Sequence, residues 1–300
     1  MRKALHFATC GHGFWIFTVP SKILVEKCCL VANPVAGNPT QYLVEQAFAQ
    51  NNLDWRFMTF EVEPARLGDA MRGLRALGFH GVKIGEPFHQ SVMEHVDELT
   101  EAAKRCGSVN CVTANEQFVG DNTEGAAFVD IVRQHINPVG RRAMIFGAGR
   151  IAQALAMALA EAGIAEIVVA SRNTNAARQL VERIKEQTSC SAITIDLTGG
   201  HVTIEPDTAL VVNATSLGSQ DPDAKLPLNV DSLSPKMIVA DVAYNTARTW
   251  LTQQAATRGC RVIDGISLYV HQTALALKAW TGVGPDTVAM REAAEEFLGI

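Results

Sequence analysis

Between an apolar run, Ala143-Met144-Ile145-Phe146, and an alanine-rich stretch from Gln153 to Ala162 lies Gly147-Ala148-Gly149-Arg150-Ile151-Ala152. Two glycines one residue apart, where a strand gives way to a helix, can hold a phosphate. Gly147 permits the tight turn, and Gly149 lets backbone N–H groups approach a pyrophosphate at the helix N-terminus. Ala152 supplies the third small position, where helix and strand pack closely. A second apolar run, Ile167-Val168-Val169-Ala170, follows the helix stop at Gly163 where a dinucleotide-binding βαβ unit needs it. Gly147, Ala148, Gly149, Arg150 and Ile151 are therefore candidate cofactor-binding residues.

The end of that second run indicates which dinucleotide. An NAD-specific site places an acid about 20 residues after the first glycine, to hold the ribose 2′-hydroxyl. This chain has Ser171-Arg172-Asn173-Thr174 there and no acid before Glu182. A guanidinium pairs with phosphate through two parallel hydrogen bonds. Ser171 and Arg172 thus predict a 2′-phosphate and make NADP, rather than NAD, the expected cofactor. Arg178, one to two turns further on, is placed to assist.

With 300 residues, 48% of them apolar, the chain has material for two α/β domains. A net charge of −5 without a basic stripe argues against nucleic acid or an anionic membrane as partner. The seven cysteines form no Cys-x-x-Cys pair and the histidines show no ligand spacing, so no metal site is expected and a reducing cytoplasm fits. No stretch approaches the ~18 apolar residues of a membrane span. Near the N-terminus, Arg2 and Lys3 precede a patchy apolar run broken by His6, Gly11 and His12, which predicts an extension or an extra strand rather than an export signal.

Strand-like and helical runs alternate along the chain. Strands are expected at 27–32, 54–60, 79–84 and 108–114, and helices at 40–50, 64–77, 90–95, 97–106 and 125–134. Asn137-Pro138-Val139-Gly140 is a turn-rich junction into the nucleotide strand. Beyond it, strands are expected at 192–195, 209–212, 237–241 and 261–263, and helices at 175–187 and 248–258. Two final helices follow, at 267–280 and 286–298. Such alternation predicts mostly parallel sheets covered by helices.

Landmarks spread from Asn33 to Gly282 together resemble the shikimate dehydrogenase family. They are Asn33-Pro34-Val35 after a strand, Val109-Asn110, and Gly120-Asp121-Asn122-Thr123-Glu124-Gly125, with Glu in place of the usual second Asp. Asn213-Ala214-Thr215-Ser216-Leu217-Gly218 and Asp241-Val242-Ala243-Tyr244-Asn245 follow, then Gly265, His271-Gln272 and Trp280-Thr281-Gly282. The resemblance implies an N-terminal α/β substrate domain (1–128), a Rossmann-type NADP-binding domain (129–265), and C-terminal helices (266–300) returning to the first domain. It adds Asn213, Thr215 and Gly265 to the cofactor-binding residues, and it implies a small cyclic hydroxy acid as the binding partner, with the protein a monomer or homodimer.

Three departures fall on the implied substrate pocket. The family's two carboxylate-binding serines are replaced by Asn38 and Thr40, its Asn-Val-Thr strand end by Lys83-Ile84-Gly85, and its catalytic lysine after Pro-Phe by His89. The cofactor motifs stay intact, which points to a changed substrate. Asp121 matches the family's catalytic aspartate in this reading. His89, with an ordinary pKa near ~6.5, is then the proton shuttle beside it. Lys83 is the second candidate, since residues 83, 85, 87 and 89 share a face if the segment stays extended, and Gly85 leaves a space that its amine can enter, either to do the proton work or to bind an anion. Asn110, Tyr244 and Gln272 complete the expected substrate contacts.

Two functions remain open at this point. One is an NADP-dependent dehydrogenase interconverting a shikimate- or quinate-like cyclic hydroxy acid and its 3-dehydro ketone, with room for a non-shikimate substrate. The other is a non-catalytic nucleotide-binding sensor or regulator, which the missing lysine suggests.

Overall fold

A computed structural model describes residues 25–300; the N-terminal extension or extra strand expected earlier in the chain lies outside the described residues. The first half runs β1 (Glu26–Ala32), α1 (Thr40–Gln50), β2 (Trp55–Glu61), α2 (Leu67–Ala76), β3 (Gly81–Ile84), β4 (Glu98–Leu99), α3 (Glu101–Cys106), β5 (Cys111–Ala114), β6 (Phe118–Asp121) and α4 (Thr123–Arg133). The second runs β7 (Arg142–Phe146), α5 (Arg150–Glu161), β8 (Glu166–Ser171), α6 (Thr174–Gln187), β9 (Ser191–Asp196), β10 (Thr208–Asn213), β11 (Ile238–Asp241), α7 (Trp250–Thr257) and β12 (Arg261–Ile263). Helices α8 (Gly265–Thr281) and α9 (Thr287–Leu298) close the chain.

These strands make two six-stranded sheets. The second has the order β12-β11-β10-β7-β8-β9 with every pair parallel, the doubly wound dinucleotide-binding arrangement. Its order reverses between β7 and β10, so the turn after β7 opens at the switch point where such sheets bind ligands. The first sheet runs β2-β1-β3-β5-β6-β4, and β5 alone is antiparallel to its neighbours.

Central strands bury both faces, as sheets covered on both sides must. Along β1 the period of two sends Cys28, Leu30 and Ala32 toward α1, α8 and α9, and Cys29 and Val31 toward Leu67, Met71 and Phe88. Each large apolar side chain so buried contributes roughly 1.5–3 kcal/mol. Ile266, Val270, Leu277, Trp280, Met290 and Ala294 put α8 and α9 in the same cluster as β1. Trp280 lies flat on β3, where a Cβ on Gly81 would come within 2.3 Å of its ring, and its Nε1 donates to Val112 O at 3.1 Å. Helix α4 meets α5 of the other half closely, since a Cβ on Gly125 would sit 2.7 Å from Ala158 Cβ.

The structure corrects the sequence reading around residues 90–121. Residues 97–106 are not one helix: β4 occupies Glu98–Leu99, and α3 begins only after Thr100, whose side chain accepts from Ala103 N. The strand expected from 108 starts at Cys111, and β6 had no counterpart in that reading. Strands of two to four residues are too short to show a period.

Candidate active site

Lys83 lies in β3 between β1 and β5, in register with Leu30 and Cys111 and almost wholly buried at 4% exposure. Its Nζ donates to Gln272 Oε1 on α8 at 2.8 Å, and Asn110 Nδ2 donates to the same oxygen at 2.6 Å. Asn110 Oδ1 in turn accepts from Thr123 N at 3.0 Å, and Thr123 Oγ1 donates to Gln272 O at 3.0 Å. One network thus ties β3, the residue preceding β5, α4 and α8 together. Burial pushes the Lys83 ammonium down to about 8, nearby Cys111 and Glu124 opposing in part.

His89 reaches the same cavity from the turn after β3. It is 6% exposed, and its Nδ1 lies 3.5 Å from Glu86 Oε1 without a formed hydrogen bond. Burial lowers its pKa below the ordinary histidine value, so the imidazole is neutral at pH 7. Strand β3 ends at Ile84, and the shared face expected for residues 83, 85, 87 and 89 ends with it. Gly85 leaves no space for the lysine either: a Cβ there would meet Ala32 Cβ at 2.7 Å.

Asp121 does not stand beside His89. It ends β6, where its Oδ1 accepts from the Thr100 hydroxyl and from Asn122 N at 2.8 Å, and it does not line the cavity. Two carboxylates do, Glu86 from the turn after β3 and Glu124 in the first turn of α4. Asn122 caps that helix, its Oδ1 accepting from Glu124 N at 3.0 Å, and so turns the glutamate inward. Burial raises the Glu124 pKa, but Arg150, His89 and Lys83 outweigh it and hold the carboxyl below its usual range. Arg150 Nη1 donates to Glu124 Oε2 at 2.6 Å and its Nε to Glu86 Oε1 at 3.2 Å. The Arg150 side chain is thereby engaged on the substrate side, leaving its backbone N–H at the start of α5 to face an anion.

The far wall is formed by Asn38, Thr40 and Tyr269, with Tyr244 stacked on Tyr269 at 4.4 Å between ring centroids. Thr40 N, Thr40 Oγ1 and Tyr269 Oη lie 3.0, 2.6 and 3.0 Å from Asn38 Oδ1. Gly265 lines the cavity too, and its bare backbone lets Ala243 approach: a Cβ would fall 2.2 Å from Ala243 O.

A second depression, of about 700 Å³, runs along the carboxyl ends of the other sheet and is lined by Gly147, Ser171, Arg172, Asn173, Thr215 and Lys225, among others. The residues fit a phosphorylated dinucleotide. Gly147 has φ +107 and no room for a Cβ, which would lie 2.8 Å from Ala214 O, whereas a Cβ on Gly149 would face open space. That cradle sits at the N-terminus of α5. Arg172 and Lys225 are two cations, and among the described residues no carboxylate lines the groove. Ile151 and Arg150 line the first cavity and Gly147 the groove, so the two meet at one turn. Ala148 is buried within that turn, and Arg178 does not line the groove. Nor does Asn213: its Oδ1 accepts from Thr215 N and Oγ1, and its Nδ2 donates to Asp241 Oδ2 at 3.0 Å, so it shapes the loop that presents Thr215.

Residues 30–112 match the family described as "Shikimate dehydrogenase substrate binding domain", and residues 130–215 match "Shikimate / quinate 5-dehydrogenase". A shikimate dehydrogenase (NADP(+)) of Methanopyrus kandleri is 35% identical over 274 residues, spanning 90% of this chain and 94% of its own. The chain belongs to the shikimate dehydrogenase family. Among solved structures, the ligand-free 5-ketofructose reductase of a Gluconobacter strain is similar with a TM-score of 0.89 and 31% identity, over 92% of this chain and 99% of the other. Shikimate 5-dehydrogenase of Thermus thermophilus, solved with NADP(H) and shikimate, gives 0.80 and 27%, over 91% and 100%.

Within the family signature, Glu124 occupies the second acidic position, and it is this one that faces the cavity. Glu86, Glu124, Lys225 and Tyr269 are polar lining residues that sequence reasoning did not name as site candidates. For Glu124 a signal was present: Asn122 is a good helix cap, and an acid two residues later belongs to the helix's first turn.

Proposed function

We propose that this protein is an NADP-dependent oxidoreductase that interconverts a secondary alcohol and its ketone on a small polyhydroxylated substrate. Shikimate- and quinate-like cyclic hydroxy acids are the family's type, and the pocket is altered from it. One structural neighbour is named a 5-ketofructose reductase and another holds shikimate, which supports a fold that accepts more than one such substrate. The observation that carries the reading is a buried lysine, Lys83, in one cavity with His89 and Glu124, adjoining the Gly147 turn.

Lys83 is the group best suited to exchange the proton. At neutral pH it is mostly protonated, and a value of about 8 lies close to working pH, where acid–base catalysis is efficient. In reduction the carbonyl carbon gains a hydride and Lys83 gives its proton to the oxygen; in oxidation both return. When bound, the nicotinamide supplies or takes up that hydride. Gln272 Oε1 aims the ammonium, Asn110 steadies Gln272, and the neutral His89 hydrogen-bonds a substrate hydroxyl. Leu30, Val242 and Leu268 restrict water. A monomer or homodimer in the cytoplasm accompanies this reading.

The test is Lys83→Met beside His89→Ala. Lys83→Met loses 10²- to 10⁴-fold in turnover, the usual worth of a positioned acid, with NADPH affinity retained. His89→Ala loses less. Unchanged turnover in Lys83→Met refutes the assignment, and failure of the wild type to bind NADPH in a fluorescence titration refutes the function.

A further inference from the structure

We infer that the cavity wall made by Asn38, Thr40 and Tyr269 receives an uncharged hydroxyl, so that the substrate is a neutral polyhydroxy ketone or alcohol of the carbohydrate class rather than a carboxylic acid. This rests on the reading of the cleft as a dehydrogenase site and names the substrate for it.

The donors of that wall are already engaged with one another. Asn38 Oδ1 has around it Thr40 N at 3.0 Å, Thr40 Oγ1 at 2.6 Å and Tyr269 Oη at 3.0 Å, and the two hydroxyls are themselves 2.5 Å apart. An ionised carboxylate only accepts, through about four lone-pair sites, and needs donors aimed at it. Within this trio the Asn38 side-chain NH₂ is the donor left over. A hydroxyl both donates and accepts. It can take a hydrogen bond from that NH₂ and return its own proton to a free lone pair of Thr40 or Tyr269.

The charges of the cavity agree. Lys83 and Arg150 face Glu86 and Glu124, and Arg150 is engaged by both carboxylates. Two cations and two anions balance, with His89 neutral. A carboxylate docked on the Asn38, Thr40 and Tyr269 wall would add a negative charge to that balance and would meet three neutral side chains there, none of them a cation. A neutral substrate leaves the balance intact.

The experiment first titrates NADPH by fluorescence; absence of binding there brings down the dehydrogenase reading itself, before any substrate is added. Oxidation with NADP⁺ is then measured for fructose, sorbitol and myo-inositol against shikimate and quinate, with 5-ketofructose and NADPH in the reverse direction. The expected result is a kcat/KM for the best neutral alcohol at least tenfold above that for either acid. Equal or faster turnover of an acid overturns the inference, as does inactivity of every neutral compound in both directions. Asn38→Ser, which removes the shared acceptor and frees the Thr40 and Tyr269 donors, raises kcat/KM for the acids at least tenfold. A folded Asn38→Ser protein with unaltered NADPH affinity and no gain toward the acids counts against it.

Discussion

Arg150, at the first position of α5 in the nucleotide-binding half, sets its Nη1 2.6 Å from Glu124 Oε2 at the start of the helix leaving the other sheet. Both side chains are largely buried, at 16% and 6% exposure, while Glu86, the second partner of Arg150, is 70% exposed. Removing one member of a buried pair strands the other, which costs about 3–5 kcal/mol. An exposed pair contributes at most about 1 kcal/mol. Arg150→Met therefore destabilises by several kcal/mol in urea unfolding at pH 7 and Glu86→Gln by little; equal effects would contradict the geometry. The pH dependence has a fixed sign. Glu124 is held below its usual 4.5, so its contribution is complete above that value and is lost as pH falls through the folded-state one. The Arg150→Met deficit is largest at neutral pH and narrows below 4.5.

Lys83 behaves in the opposite sense. Its ammonium is worse off folded, at about 8, than unfolded, at 10.5. The unfolded chain holds the proton more tightly, so wild-type stability rises with pH between those values and the burden is full below them. Lys83→Met relieves roughly 3 kcal/mol at pH 7, less what the lost bond to Gln272 contributed, and Gln272 keeps Asn110 as a partner. Unfolding curves at pH 7 and pH 10.5 must show the variant's advantage shrinking with pH. Ketone reduction by the wild type falls above about 8 as the proton is lost.

These two residues also show where sequence reasoning holds and where it stops. In the second sheet Ala143–Phe146, Ile167–Ala170 and Ala209–Val212 are continuous apolar runs because both faces are buried, and each run is a strand of the dinucleotide fold. The glycine turn and Arg172, singled out from residue type alone, lie on the groove at the carboxyl ends of that sheet. Asp121 and Glu124 were harder to separate. Three residues apart, they fall on either side of a strand-to-helix boundary, and a strand of four residues gives no pattern to locate it, which leaves the Asn122 cap as the signal. The direction of Arg150 was hidden as well, since its partners lie 64 and 26 residues away and only the meeting of two sheets joins them.

Arg172 and Lys225 are two cations on the groove beside Ser171, and among the described residues its lining holds no carboxylate to claim them. A 2′-phosphate is the chemical difference between NADPH and NADH, and a hydrogen bond to a charged group is worth about 1.5–3 kcal/mol. Arg172→Ala raises KM for NADPH roughly ten- to a hundredfold, with KM for NADH nearly unchanged, and Lys225→Ala does so to a smaller degree because an ammonium lacks the bidentate fork. Parallel losses for both cofactors would place the two side chains elsewhere than at the phosphate.

The two glycines of the turn differ in what a methyl group would strike. At Gly147 the backbone has φ +107, and a Cβ would lie 2.8 Å from Ala214 O and 3.2 Å from Thr215 Cγ2. That carbonyl cannot yield, because Ala214 N is bound to Phe146 O at 2.8 Å and Asn213 pins the loop to Asp241. Gly147→Ala thus loses about 1–3 kcal/mol of stability and displaces the loop that carries Thr215. At Gly149 φ is −76, acceptable to alanine, and a Cβ meets nothing within 4 Å. Alanine there leaves stability unchanged or improves it by up to about 1 kcal/mol through the unfolded chain. It nevertheless weakens NADPH at least tenfold, because the methyl stands where the pyrophosphate must approach the N-terminus of α5. Melting temperature and NADPH titration on the two variants separate these effects. A Gly149→Ala protein that binds NADPH as the wild type does would remove the pyrophosphate from this turn.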